Sequence, residues 1–171
     1  MARAAVGLGS NLGDRRAHLA QAVDRLGEAG EVMAVSSLYE TAPIGGPEQG
    51  PFLNAVAVVE TALTPRALLD RCLGLEREAG RRRRVRWGPR PLDLDLLLYG
   101  EAAVDEPGLR VPHPRLAARR FVLEPLLEAW PEAALPDGTP VSGLLAGVAG
   151  QEAVLLAGPG WWDDQRLLDG R

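Results

Sequence analysis

The chain has 171 residues, 46% apolar and 25% charged, with a formal net charge of −4. That is the make-up of one globular domain, large enough to bury roughly 70% of its unfolded surface. We read residues 1–171 as a single domain, with a core over about 3–150 and a C-terminal extension over 151–171. The acidic balance argues against broad nucleic-acid binding, which needs a basic surface. Apolar runs fall short of the ~20 residues of a membrane helix, and MARAAVGLGS is too short in apolar residues for a secretory signal. The lone Cys72 excludes a disulfide framework and a cysteine zinc cluster, and the expected compartment is a reducing cytoplasm. All 19 basic residues are arginine. The absence of lysine rules out a P-loop lysine, a Schiff base and a lysine general base.

In chain order, AAVGL (4–8) predicts a short strand. Asp14 then caps a helix over about 15–28, with Leu19, Val23 and Leu26 at helical spacing. VMAVSSLYE (32–40) predicts one strand, TAPIGGPEQGP (41–51) a loop, and FLNAVAVVET (52–61) another strand. Pro65 opens a helix closed by Gly80. Residues 81–91 form an arginine-, glycine- and proline-rich loop, and LDLDLLLYG is a strand. RFVLEPLLEAWP and VSGLLAGVA predict two later helices, and the final twenty residues either pack back or extend. The order is β-α-β-β-α-β. The expected fold class is therefore α+β, a ferredoxin-like core with an antiparallel sheet, helices packed on it and extra C-terminal elements.

Strand alternation puts Leu92, Leu94, Leu96 and Leu98 on one face, the core side. Asp93 and Asp95 fall on the other, ~6.5–7 Å apart by strand rise. Carboxylates so placed can hold two magnesium ions ~3.5–4 Å apart and clamp a phosphate chain. Two ordinary surface acids are the competing reading of D-x-D by itself. The loop RRRRVRWGPR just upstream shifts the balance, because guanidinium forks match phosphate oxygens and stay charged. Trp87, followed by Gly88 and Pro89, has the make-up of a lid anchor.

GLGSNLGD has the look of a phosphate-cradling turn, yet its glycines read better as serving a tight turn. Phe52 and Asn54 share a strand face. They pair a stacking surface with an amide, which suits a flat heterocycle with amide-like edges. His113, between two prolines in VPHPR, is suited equally to a phosphate or ribose contact and to a structural turn. His18 is surface, and Cys72 a packed helix thiol.

Taken together in this order, VGLGSNLGDR, LYETAPIGG, PFLNA, RWGPRPLDLDLLLYG and VPHPRL followed by RRFVLEPL resemble the 6-hydroxymethyl-7,8-dihydropterin pyrophosphokinase family over roughly residues 3–136. The R-W-G-P-R-x-x-D-L-D block is the most specific part. The resemblance implies transfer of a diphosphate from ATP to the pterin hydroxymethyl group with release of AMP, in folate biosynthesis. It implies that Asp93 and Asp95 ligate two Mg2+ ions. Arg81 and Arg90 would engage the triphosphate from a mobile loop, assisted by Arg83 and Trp87. Glu76, His113 and Arg119 would contact the nucleotide and the backbone around Leu96 its adenine. Phe52 and Phe121 would sandwich the pterin, with Asn54 and the backbone at Thr41, Ala42 and Ile44 reading its edges. The implied partners are ATP and the pterin alone, with no nucleic acid or membrane; a monomer is expected, with a homodimer as the alternative. Two other classes share parts of the pattern: a metal-dependent nucleotidyltransferase, which would release pyrophosphate, and a non-catalytic nucleotide- or RNA-binding module.

Overall fold

The computed structural model describes residues 1–42, 50–80 and 91–163. Among them, six strands build one sheet in the order β5-β1-β4-β3-β8, with β2 also paired to β4. These strands are β1 (Ala2–Ser10), β2 (Glu31–Val35), β3 (Leu38–Thr41), β4 (Phe52–Thr61), β5 (Asp93–Tyr99) and β8 (Val154–Ala157). Every pairing is antiparallel, so the expected split βαββαβ core is present. A separate hairpin joins β6 (Val104–Glu106) to β7 (Leu109–Val111).

Two helices cover one face of the sheet. In α1 (Arg15–Leu26), the Asp14 carboxylate accepts from the Ala17 N–H at 3.1 Å, filling one of the donors a helix start leaves open. Helix α2 (Pro65–Glu78) begins with Thr64 as cap and Pro65 in the first turn. Leu19, Val23, Leu26, Leu68 and Cys72 pack beneath them against Val6, Leu8, Leu53, Ala55, Leu94 and Leu96. Burial pushes the Cys72 thiol up to about 12. The other face carries α3 (Arg120–Ala129) and Val141–Val148, a 3₁₀ segment where the sequence predicted a helix over VSGLLAGVA. Their Leu123, Leu126, Val141 and Val148 pack on Ala5, Val56, Leu97 and Leu98. No helix among the described residues is long and apolar enough to cross a membrane.

Three expectations need correction. The predicted strand 32–40 breaks at Ser36–Ser37, because serine hydroxyls compete with the ladder for backbone partners. Ser36 Oγ accepts from Val56 N–H at 2.9 Å, and the Glu128 carboxylate of α3 accepts from the N–H and hydroxyl of Ser37 and from the Tyr39 hydroxyl. Burial, then that neighbouring charge, raises the Tyr39 hydroxyl above its ordinary pKa. Leu98 does not share a face with Leu92, Leu94 and Leu96. Val6 pairs with Leu96 but Ala5 with Leu98, so Leu97 is the extra residue of a β-bulge, and beyond it the inward face switches. The glycines of GLGSN are strand residues, since β1 runs on to Ser10.

The C-terminal extension packs back. β8 adds to the edge at β3, and the buried Trp161 donates its indole N–H to the Ser36 carbonyl at 2.8 Å. Arg16 of α1 in turn donates to the Trp161 carbonyl at 3.2–3.3 Å.

Candidate active site

On β1, β4 and β5, alternate residues reach the face that α3 only partly covers. Gly7 pairs with Val56 and Asp95, and Gly9 with Asn54 and Asp93. These residues form the floor of a cleft of about 420 Å³. Its walls are Thr41 and Ala42 after β3, Phe52 at the start of β4, the His113–Pro114–Arg115 turn after β7, and Arg119, Phe121 and Val122 at the start of α3. Nine residues singled out by sequence therefore meet here: Thr41, Ala42, Phe52, Asn54, Asp93, Asp95, His113, Arg119 and Phe121.

One end of the cleft is shaped for a flat polar ligand. Asn54 donates from Nδ2 to Thr41 Oγ1 at 2.7 Å. That bond fixes the amide and leaves Oδ1 toward Gly9, with the Phe52 and Phe121 rings among the lining groups. The other end is ionic. Asp95 is 39% exposed, with its Oδ1 3.8 Å from His113 Nε2, too far for a hydrogen bond. The Arg115 backbone N–H donates to His113 Nδ1 at 3.1 Å. Burial, then the Arg119 and Arg115 charges, lowers the His113 pKa. The ring is thus a neutral imidazole whose proton sits on Nε2, a donor rather than a cation. Burial and Arg115 also lower the Arg119 pKa, opposed by Asp95 and Asp93. Its guanidinium lies 5.4 Å from the centre of the Phe121 ring, a cation–π contact that ties the ionic end to the aromatic one.

Leu96 is elsewhere. It lines a neighbouring cleft of about 600 Å³ between β5 and the β6–β7 hairpin, which shares Asp95, His113 and Pro114 with the first. Glu76 lies behind the sheet, 2% exposed on α2, and its carboxylate accepts from the Leu94 N–H at 2.8 Å. It thereby holds the strand between Asp93 and Asp95 from the core side. Ile44, Arg81, Arg83, Trp87 and Arg90 lie outside the described residues. Sequence reasoning passed over Gly7, Gly9 and Arg115 as site residues. The signal for the glycines was their i, i+2 spacing within a strand.

The family model for 7,8-dihydro-6-hydroxymethylpterin-pyrophosphokinase matches residues 5–131. The chain belongs to this pyrophosphokinase family. It is 48% identical over 147 residues to the 2-amino-4-hydroxy-6-hydroxymethyldihydropteridine pyrophosphokinase of Pseudomonas aeruginosa, covering 84% of this chain and 90% of that one. The enzyme of the same name from Bacillus subtilis is 48% identical over 125 residues, covering 72% of this chain and 75% of its own. That from Aquifex aeolicus is 42% identical over 136 residues, covering 80% and 85%. Among solved structures, an HPPK-DHPS protein in complex with substrates matches with a TM-score of 0.71 at 12% identity, and wild-type Plasmodium falciparum HPPK-DHPS with 0.65 at 15%. These last matches bear on the fold alone. The chain spans less than half of either protein, 43% and 45%.

Proposed function

We propose that the protein transfers the terminal diphosphate of ATP to the hydroxymethyl group of 6-hydroxymethyl-7,8-dihydropterin, a step of folate biosynthesis. The observation that carries this reading is the polarity of one cleft: aromatic rings and a fixed amide at one end, two carboxylates and a half-buried arginine at the other. The pterin lies between Phe52 and Phe121, its edges read by Asn54 and by the backbone at Thr41, Ala42 and Ile44. The hydroxyl oxygen attacks the β-phosphorus in line, the bond from that phosphorus to the α-phosphate oxygen breaks, and AMP leaves. The hydroxyl proton is lost late, to water or to a neighbouring carboxylate. Catalysis is mostly positioning, for which well-oriented reactants gain about 7–11 kcal/mol.

Asp93 and Asp95 offer two hard oxygen donors on one strand face, and no cluster of three ligating side chains occurs among the described residues. That donor set fits Mg2+, which binds through one or two carboxylates together with substrate phosphates. Asp93 and Asp95 would hold two such ions, whose chemistry is to neutralise charge on the bridging phosphate oxygens. His113 donates from Nε2 to the phosphate chain and Arg119 pairs with it. Arg81 and Arg90, with Arg83 and Trp87, engage the triphosphate. Leu96 borders the adenine. Glu76 takes part through the β5 backbone. The chain works as a single domain and as a monomer, in the cytoplasm.

Incubation with ATP, Mg2+ and the pterin alcohol tests this directly. AMP and the pterin diphosphate are the expected products; release of pyrophosphate, or no turnover, overturns the reading.

A further inference from the structure

Two glycines of this fold serve different ends. A Cβ built on Gly30 would collide with the Glu60 carbonyl, so the packing of β4 demands a glycine there. A Cβ on Gly9 would lie 3.5 Å from Asn54 Oδ1, 3.7 Å from Phe52 Cδ1 and 3.9 Å from Asp93 Cβ, all ordinary contact distances. Its backbone is regular strand, paired on both sides. Nothing in the protein itself excludes alanine at position 9, and a glycine inside a strand costs conformational entropy that alanine would recover. The missing side chain has its consequence in the cleft.

The register shows what that consequence is. Gly9 stands directly between Asn54 and Asp93, and Gly7 between Val56 and Asp95. With strands ~4.8 Å apart, the side chains of β4 and β5 flank a strip of bare backbone roughly 10 Å wide. At Gly7 a Cβ would meet the Leu97 side chain at 3.5 Å, so that end of the strip is already bordered by the bulged leucine. At Gly9 it opens between the aromatic end and the carboxylates.

On the pterin reading above, we infer that Gly9 is a specificity-determining residue. Its bare backbone is the floor over which the hydroxymethyl arm passes from the Phe52–Asn54 wall to Asp93 and Asp95. A methyl group at this point would occupy the layer in which a flat ring must lie against the sheet.

The test compares Gly9→Ala with wild type by thermal unfolding, by KM for each substrate, and by fluorescence titration with the pterin. The variant should melt at or above the wild-type temperature. Its pterin KM and Kd should rise about 10- to 200-fold, the range for one methylene in a close-fitting pocket, while the ATP KM stays near wild type. An unchanged pterin Kd, or equal losses for both substrates with a lowered melting temperature, overturns the inference. Failure of the wild-type protein to form AMP would instead strike the proposed reaction.

Discussion

The two faces of the central sheet are built from the same strands to different ends. Beneath α1 and α2, Val6, Leu8, Leu53, Ala55, Leu94 and Leu96 interlock with helix side chains. One residue away along each strand, Gly7, Gly9, Asn54, Asp93 and Asp95 face an open cleft. The stabilising burial is concentrated where chemistry has no claim. The other face combines polar and charged groups in the cleft with a second apolar cluster, in which α3 packs on Ala5, Val56, Leu97 and Leu98. Alternation along a strand thus separates stability from activity at a resolution of one residue.

Substitutions chosen by face sharpen that contrast. The largest effect is expected for Asp95→Asn. Turnover should fall ~10³-fold, several kcal/mol of lost charge stabilisation, with a melting temperature close to wild type. A near-normal rate, or a variant that unfolds, would blur the division. Leu68→Ala, on the closed face, should cost about 2–5 kcal/mol in urea unfolding while both KM values of the folded fraction stay put. A selective change in either KM would show the closed face reaching the site.

The smallest effect is a pH dependence from Cys72. Its thiol is raised from 9.0 to about 12 in the fold, so above pH 9 the unfolded chain releases a proton that the folded chain keeps. The associated stability is complete below pH 9 and is lost as pH rises from 9 toward 12, at about 1.4 kcal/mol per unit. Comparing denaturant midpoints at pH 8 and 10 for wild type and Cys72→Ala isolates it. A wild-type slope no steeper than the variant's would count against a sealed core at that position.

Of the nine candidate residues that meet in the cleft, strand period pointed to Phe52, Asn54, Asp93 and Asp95 and the setting between prolines to His113, while Thr41, Ala42, Arg119 and Phe121 came from the family resemblance. Asp93 and Asp95 are the clearest case: leucines on either side fixed their face before any tertiary contact was known. Leu98 went to the wrong face because the bulge arises from how β5 meets β1, and nothing within LDLDLLLYG announces it. Ser36 and Ser37 interrupt a segment that reads as one strand, since the partners that satisfy them, Glu128 and Trp161, lie 91 and 125 positions away. Glu76 was placed with the nucleotide because resemblance carries a residue's importance without saying which side of the sheet it occupies. Gly9 escaped notice because a glycine in a strand looks like a flaw until the space above it is seen.

The docking of Trp161 also sets an order of events during synthesis. Its contacts with Ser36 and Arg16 span 125 and 145 positions, so they cannot form until the segment up to Trp161 has left the ribosome. At ordinary elongation rates, β3 emerges on the order of ten seconds before β8 does. Throughout that interval its outer edge shows unpaired backbone, the kind of surface on which neighbouring nascent chains add strands to one another. The segment that carries β8 and Trp161 is thus the one that covers the β3 edge.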